Sequence, residues 1–401
     1  MVETPSEEYG RRRQRELYSM GTLADQPPEF PVSYEQLEAA ALEVLDDRAA
    51  AYVAGGAGGE DTAAENRSSF ADWRLVPRLL RGVAERDLRV ELFGSTVEPP
   101  LALAPVGIQT LLHEEGELAT ARAASDLGLP FCLSSVASVT MEDVAEESEG
   151  PQWFQLYPAS DPEITASFVD RAERAGFEAL VVTADVPALG WRERDVANGY
   201  LPQLDGEGLA NYLADPAFRD RLDQPPEDNE GLAIQEFLDV FGAAGMDWDR
   251  LEDLVASTEL PVVLKGVLHP DDAERAVEAG VDAVAVSNHG GRQVDGAVGA
   301  LAALPEVAER VGDRVTVTFD SGVRRGADAA KALALGADCA LVGRPYLYGL
   351  AVDGENGVRT VLENLRADLD LTLANLGYPV ARELDRAAVV RREALRGGTA
   401  F

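Results

Sequence analysis

A histidine and an arginine three residues apart follow a short apolar run and could act together on one small acid. The run at 284–286 continues directly into residues 287–293, which have the sequence SNHGGRQ. Histidine takes up or releases a proton near neutral pH, whereas arginine stays cationic and can hold a carboxylate through two parallel hydrogen bonds. This spacing predicts a proton-transfer site at His289 with a carboxylate anchor at Arg292.

The other two histidines and both cysteines lack such surroundings. His113 and His269 stand alone, so we interpret them as ordinary structural or surface residues. Cys132 and Cys339 lie inside apolar runs, where a free cysteine behaves as a small hydrophobic residue. The spacings predict neither a metal site nor a disulfide framework.

The charge balance limits the partners. The 401 residues include 71 acidic and 35 basic side chains, for a formal net charge of -36. Such a surface repels nucleic acid and anionic membranes, so neither is expected as a partner. The only lysines are Lys265 and Lys331, which we interpret as the mark of a halophilic source. Because lysine is absent from the rest of the chain, the two that remain are expected to be needed where they stand. This makes Lys265 a candidate site residue.

The N-terminal part of the chain predicts an arm followed by a helix. Residues 1–32 are polar and contain prolines, so we expect an arm that is ordered only by contacts elsewhere. A helix is predicted from Ser33, with Gln36 completing a capping box, to Ala54. The glycines at 55–59 follow this helix, so we interpret them as a helix stop. The absence of a long apolar stretch predicts a cytoplasmic protein without membrane insertion.

From residue 101 onward, one strand-turn-helix unit repeats eight times. Strands are predicted at 101–105, 131–135, 153–157, 179–185, 261–266, 283–289, 315–320 and 339–344, with helices including 113–127, 161–175, 270–279, 299–311 and 326–335. Eight such units over about 250 residues are typical of a (β/α)8 TIM barrel, an α/β fold. We therefore expect one barrel domain at 33–401, beside the arm at 1–32.

Two segments depart from this regular pattern. The connection after strand four, at about 186–260, is several-fold longer than the others, and we predict that it forms an active-site lid loop without strong structure. The last helix, at 356–376, and the tail at 391–401 are predicted to lie outside the barrel.

The predicted strands end in Pro105-Val106-Gly107 for the first and in polar residues for the others, at the position where barrel enzymes place their active sites. The turns at Asp320-Ser321-Gly322 and Gly343-Arg344 could hold a phosphate through backbone amides. That feature alone fits a sugar-phosphate isomerase and a flavin enzyme about equally. Lys265, which could stabilise a reduced flavin, and the hydroxyl and amide groups at neighbouring strand ends favour the flavin enzyme.

These residues resemble the FMN-dependent α-hydroxy acid oxidising enzymes, which include glycolate oxidase, lactate oxidase, the flavocytochrome lactate dehydrogenases and lactate 2-monooxygenase. The resemblance extends from about Tyr52 to Gly377 and centres on the motif Ser-Asn-His-Gly-x-Arg-Gln at 287–293. It implies that His289 is the catalytic base and that Asp185 orients it. It implies substrate contacts from Tyr52, Tyr157, Arg192, His289 and Arg292. FMN would be held by Pro105, Val106, Gly107, Ser134, Gln155, Tyr157, Thr183, Lys265, Ser287, Asp320, Ser321, Gly322, Val323, Arg324, Gly343 and Arg344.

Within that family, the segments at 52–58, 104–107 and 190–195 look like those of lactate 2-monooxygenase. Most members carry alanine where Gly107 stands, so we expect the missing methyl to leave room for the keto acid product beside FMN. Peroxide formed there would then decarboxylate the product. Ser321 replaces a glycine of the common Asp-Gly-Gly motif, a change that a phosphate loop can absorb.

Three functions remain open from the sequence. The first is oxidation of a small L-2-hydroxy acid, with oxygen reoxidising FMN and with decarboxylation as a possible further step. The second is a dehydrogenase that passes electrons to a quinone or a carrier protein. The third is a barrel that binds a phosphorylated ligand without redox chemistry. The family resemblance also implies a homo-oligomer, a tetramer or an octamer.

Overall fold

A computed structural model describes residues 9–242 and 246–397 of the chain. Its centre is a closed barrel of eight parallel strands, the α/β TIM barrel that the sequence predicts. All eight predicted strands are present, with bounds that differ by at most three residues. The strands are β1 Leu101–Leu103, β2 Phe131–Ser134, β3 Gln152–Leu156, β4 Ala179–Thr183, β5 Val262–Val267, β6 Ala283–Val286, β7 Thr316–Phe319 and β8 Cys339–Val342.

The barrel strands are short because they are buried on both faces and end where polar residues begin. Every residue of β2, β3, β4, β6 and β8 is buried, as expected for a parallel sheet with helices outside it and packed side chains inside it. Cys132 and Cys339 belong to this core as free thiols. The alternation of apolar strands and polar turns thus places the carboxyl ends of all eight strands at one rim.

The helices surround the barrel and precede it. In chain order they are α1 Tyr9–Leu23, α2 Tyr34–Val44, α3 Asp47–Ala54, α4 Asp61–Ser68, α5 Gly116–Asp126, α6 Met141–Glu147, α7 Pro162–Ala175, α8 Glu193–Ala197, α9 Ala210–Ala214, α10 Pro216–Arg219, α11 Glu230–Val240, α12 Trp248–Ala256, α13 Pro270–Glu278, α14 Ala300–Val311, α15 Gly326–Ala334, α16 Arg344–Leu376 and α17 Arg392–Gly397. None of the helices in the described part of the chain is long and apolar enough to cross a membrane.

The N-terminal segment is more ordered than the sequence indicated. Its residues 9–23 form α1. This helix is fixed from outside because Asp370 accepts a hydrogen bond from the Gly10 amide at 2.8 Å and pairs with Arg86. Residues 1–8 of the predicted arm lie outside the described residues. The Ser33 cap on the Gln36 amide is present. The single predicted helix to Ala54 is nevertheless two helices, because Leu45 is extended and Asp46 starts a new helix as its N-cap.

Two predictions about the connections are wrong. The stretch at 186–260 is not an unstructured loop, because it contains α8 to α12, whose caps Asp215, Asn229 and Asp247 are spread along the sequence. Within it, residues 243–245 lie outside the described residues. The helix predicted at 356–376 is the second half of α16, which starts directly after β8 and bends at Asp353 and Gly354. It packs against α5 and α15 and therefore completes the helical ring.

The chain ends form small additions to the barrel. Strand Val389–Arg391 pairs in antiparallel fashion with strand Trp73–Leu75, which ties the start of the predicted tail to the N-terminal part of the chain. A further hairpin joins Val90–Leu92 to Ser95–Val97. Residues 398–401 of the predicted tail lie outside the described residues.

Candidate active site

A cavity opens at the carboxyl ends of the barrel strands, and each of the eight strands contributes a lining residue at or just after its end. Most of the predicted site residues line it, namely Tyr52, Pro105, Val106, Gly107, Tyr157, Arg192, Lys265, His289, Arg292, Asp320, Ser321, Gly322, Val323, Arg324, Gly343 and Arg344. Five others, Ser134, Gln155, Thr183, Asp185 and Ser287, lie behind this lining. The sequence-based selection is therefore one spatial cluster.

His289 lies between a carboxylate and a phenol. Its Nδ1 is 2.9 Å from Asp185 Oδ1, and its Nε2 is 3.3 Å from the hydroxyl of Tyr157. The carboxylate fixes the tautomer, because Nδ1 must carry the hydrogen that it donates, which leaves the Nε2 lone pair facing the cavity. Burial lowers the pKa of His289, so the imidazole is neutral near pH 7. A neutral imidazole held in this way can accept a proton at Nε2.

Asp185 can stabilise the charge that such a transfer creates. Burial opposes ionisation of this carboxyl, but the neighbouring His289 outweighs burial and holds the pKa of Asp185 below its usual value. Its second oxygen, Oδ2, is buried and has no hydrogen-bond partner. The imidazole is therefore the hydrogen-bond partner of this carboxylate, and the negative charge of Asp185 stabilises the protonated form of His289 once a proton has been transferred.

Two arginines face the same end of the cavity. Arg292 Nη1 donates to the carbonyl oxygens of Tyr52 at 2.6 Å and Gly55 at 2.9 Å, and its guanidinium lies over the Tyr52 ring at 5.1 Å. Arg192 Nε donates to the Arg292 carbonyl at 3.4 Å. Burial, and then the charge of Arg192, lower the pKa of Arg292. A guanidinium stays protonated even so, and these two cations together form an anchor for a carboxylate.

Lys265 is held at the centre of the rim by Ser287 and Asp320. Its Nζ donates to Ser287 Oγ at 3.1 Å and is 3.4 Å from Asp320 Oδ2. Burial lowers the pKa of Lys265, but the carboxylates of Asp320 and Asp185 outweigh burial and keep that pKa above its usual value. A permanent ammonium therefore lines the cavity, where it can stabilise an electron-rich ring.

The cavity lining at Arg324 and Arg344 carries further positive charge, and neither side chain forms an ion pair with an acid of the described residues. Arg324 Nε is buried without a hydrogen-bond partner among the described residues. Within the same part of the chain, the hydrogen bonds of the Arg344 guanidinium all go to carbonyls, those of Val53, Ala54, Gly55 and Gly290. Burial, followed by the charge of Arg324, lowers the pKa of Arg344. Because unpaired buried cations are costly, this part of the lining fits a phosphate. The residues present thus fit FMN: Arg324 and Arg344 would hold its phosphate, and Lys265 would supply positive charge to its ring.

Three of the residues behind the lining form a chain along neighbouring strands. Ser134 Oγ donates to Gln155 Oε1 at 2.8 Å, and Gln155 Nε2 donates to Thr183 Oγ1 at 3.0 Å. Each bond joins adjacent strands, so the Gln155 amide is fixed with a known orientation. That places amide and hydroxyl groups next to Lys265, whose register partner on β4 is Thr183.

Sequence reasoning missed residues that hold the loop after β6. The amides of Asn66 and Asn288 bond reciprocally at 2.7 Å, and Gln293 Nε2 donates to the carbonyls of Asp185 and Ala188, both at 3.0 Å. Gln293 is part of the motif at 287–293, so the sequence could have identified it. The sequence could not identify Asn66, because its partner lies 222 residues away.

Sequence reasoning also missed the apolar lining of the substrate end. Val136, Val186, Leu189, Leu201 and Phe241 line the cavity, and Phe241 packs edge-on against Tyr157 at 5.3 Å between ring centroids. Four of these five residues lie within the segment 186–260. Such contacts depend on the path of that segment through space, which the sequence alone does not give.

The space expected beside Gly107 is not present. A Cβ built at this position would lie 2.4 Å from the Val136 carbonyl oxygen and 2.8 Å from Val136 Cγ2. The glycine therefore accommodates a close backbone approach, and a methyl there would collide with Val136. The argument that a missing methyl leaves room for a retained product does not hold.

Fold and site together define a TIM-barrel flavoenzyme, and comparison with known proteins gives its family. Residues 41–391 match the family model of FMN-dependent dehydrogenases. The chain is 42% identical over 367 residues to an L-lactate oxidase of Lysinibacillus sphaericus, covering 91% of this chain and 94% of the relative. It is 44% identical over 389 residues to an FMN-dependent alpha-hydroxy acid dehydrogenase of Penicillium citrinum, covering 94% and 95%.

A solved structure gives the same result. The chain matches a soluble mutant of the membrane-associated (S)-mandelate dehydrogenase from Pseudomonas putida with a TM-score of 0.80 and 36% identity, covering 91% of this chain and 100% of that chain. The protein belongs to the FMN-dependent dehydrogenase family and is an FMN-dependent α-hydroxy acid oxidase or dehydrogenase. This confirms the predicted family, cofactor and fold. The relatives named here are not lactate 2-monooxygenases, so that finer assignment is not confirmed.

Proposed function

We propose that the protein oxidises a small aliphatic L-2-hydroxy acid, such as lactate, to the 2-keto acid and passes the two electrons through FMN to oxygen. The observation that carries this proposal is the arrangement of His289, Asp185 and Arg292 at a cavity whose lining at Arg324 and Arg344 fits a phosphate. A base beside a carboxylate anchor suits an acid whose reacting hydroxyl is one carbon from its carboxylate. The aliphatic lining at Val136, Val186 and Leu201 supports a small apolar side chain.

The protein's own groups have distinct tasks in this reaction. Arg292 and Arg192 hold the substrate carboxylate, and the hydroxyls of Tyr52 and Tyr157 lie in the same cavity to orient the substrate hydroxyl. His289 Nε2 takes a proton from the substrate, and Asp185 stabilises the imidazolium that results. When bound, FMN supplies the two-electron acceptor. Lys265 provides the positive charge beside it.

Oxygen as the final acceptor is supported by the relatives that are named oxidases. Two electrons and two protons leave the hydroxy acid, so reduction of one O2 gives one H2O2 for each keto acid. Decarboxylation within the site, as in a lactate 2-monooxygenase, remains a second outcome of the same chemistry. The surroundings of Gly107 do not support decarboxylation, because the space that a methyl would fill there is taken by Val136. Electron transfer to a quinone or carrier protein is the alternative that the relatives named dehydrogenases suggest.

Product analysis under air distinguishes these outcomes. Purified holoprotein is given L-lactate, D-lactate, glycolate and L-mandelate in turn, and oxygen uptake, keto acid, acetate and peroxide are measured. We expect L-lactate to be consumed with equal amounts of keto acid and peroxide. Acetate in place of pyruvate would identify a monooxygenase. Flavin reduction without oxygen uptake would identify a dehydrogenase, and no reduction by any of these acids would overturn the proposal.

A further inference from the structure

Ser321 occupies a backbone conformation that suits glycine. Its φ is +81°, in the left-handed region where a side chain is strained. The adjacent Gly322, at φ +102°, shows that the turn after β7 is built from such conformations. A serine is retained at a strained position only where its side chain compensates for the strain, so its contacts indicate its task.

The Ser321 hydroxyl uses its full hydrogen-bonding capacity within the protein. It donates to Asp320 Oδ1 at 2.7 Å and accepts from the amides of Asn288 at 3.3 Å and Gly290 at 3.0 Å. One donor and two acceptor sites are all that a hydroxyl has. None is left for a cofactor or substrate, although the residue lines the cavity.

The two amides that Ser321 holds are those on either side of His289. The His289 amide itself donates to Ser287 Oγ at 3.1 Å, and Ser287 Oγ donates to the same Asp320 Oδ1 at 2.7 Å. Three consecutive amides are thus held by two hydroxyls that share one carboxylate oxygen. His289 is at φ +58°, also left-handed, so its backbone depends on this support.

We propose that Ser321 is a positioning residue for His289: its hydroxyl holds the Asn288 and Gly290 amides and thereby aims Nε2 at the substrate. The proposal rests on the proposed function for its kinetic consequence but not for its structural one. A glycine at 321 relieves the strain and loses the hydroxyl, whereas an alanine keeps the strain and loses the hydroxyl. Comparing the two variants therefore separates the effect of backbone strain from the effect of losing the hydroxyl.

The test compares Ser321→Gly and Ser321→Ala with the parent. A control is Ser257→Ala, whose hydroxyl caps the Leu254 carbonyl at the end of α12, far from the cavity. We expect both Ser321 variants to bind FMN with the parent's affinity. We expect flavin reduction by L-lactate to be about tenfold slower or more, since misplacement of a reacting group by about 1 Å can cost about a hundredfold. Both variants lose the three hydrogen bonds of the hydroxyl, so the melting temperature should fall further in the alanine variant, which keeps the strain, than in the glycine variant, which is relieved of it.

A second measurement does not depend on activity. The chain has only three histidines, so their ring resonances can be assigned in protein labelled with ¹³C at histidine Cε1. In both Ser321 variants the His289 signal should move or broaden, while those of His113 and His269 stay in place. An unchanged His289 signal would overturn the proposal. So would a glycine variant that is reduced as fast as the parent, or a loss of FMN affinity that matches the loss of rate.

The two readouts separate the proposals. If no hydroxy acid reduces the parent protein, the proposed function fails, and the His289 resonance still decides whether Ser321 positions the imidazole. If the parent is reduced and the resonance is unaffected by Ser321→Gly, only the positioning role fails.

Discussion

Replacing Arg292 with lysine keeps the charge but removes the geometry on which substrate binding should depend. Arg292 Nη1 already gives both of its hydrogens to the carbonyls of Tyr52 and Gly55. Nε and Nη2 remain to face a ligand, and they can make two parallel hydrogen bonds to a carboxylate. A lysine ammonium has three hydrogens at one point, so satisfying the same two carbonyls leaves it one.

The variant therefore loses one charged hydrogen bond to the substrate. Such a bond contributes about 1.5–3 kcal/mol, which corresponds to a loss of affinity of about 10- to 150-fold. The bond exists before and during the reaction, so the loss should appear as weaker binding more than as a slower limiting rate.

Anaerobic stopped-flow reduction at a series of L-lactate concentrations separates the two quantities. Arg314→Lys is the matched control, because Arg314 makes an exposed two-point contact with Glu274 on the outer surface. We expect the apparent Kd for lactate to rise in Arg292→Lys and to stay unchanged in the control. Normal lactate affinity in Arg292→Lys would place the substrate anchor elsewhere.

Four further predictions follow from the site. Burial lowers the pKa of His289 below 6.5, the ordinary value for histidine. Flavin reduction in the parent protein should therefore persist below pH 6.5 and decline at lower pH, where His289 becomes protonated, and a profile of the reduction rate against pH measures this. Asp185→Asn removes the carboxylate that raises this pKa, so the acid limb should move to still lower pH while the rate falls by about 10²- to 10⁴-fold. Gly107→Ala should lower the free energy of unfolding by about 1–3 kcal/mol, measured by denaturant titration, because its Cβ meets Val136. Lys265→Met should lower it by about 3–5 kcal/mol, because Asp320 is left buried without its cation.

The sequence predicts the barrel well because local signals agree with the global arrangement. The strands are mostly apolar runs that are followed by polar or glycine-containing turns, and parallel strands bring those turns to one rim. Knowing the strand ends was therefore enough to place Lys265, His289 and Asp320 together. In the structure, Ser287 forms hydrogen bonds with Lys265, 22 residues before it, and with Asp320, 33 residues after it.

What the sequence could not predict depends on contacts between distant segments. Helix α1 is fixed by Asp370, about 360 residues away, and nothing in its own sequence announces that partner. Three of the five helices of 186–260, α8 to α10, have only four or five residues, which is too few for a periodic pattern. The path of the whole segment, and with it the substrate lining, therefore stayed unknown. Ser321 was noticed as a departure from a motif, but its task became clear only from the amides that it contacts.

The central claim is that His289 removes a proton from a 2-hydroxy acid as FMN takes up its electrons. The most direct measurement is anaerobic mixing of L-lactate with the parent protein and with His289→Gln, following the bleaching of the flavin absorbance. The account predicts rapid bleaching in the parent, and in a variant that still holds FMN a rate lower by about 10²- to 10⁴-fold, the range for a general base. Equal bleaching rates in the two proteins would contradict it.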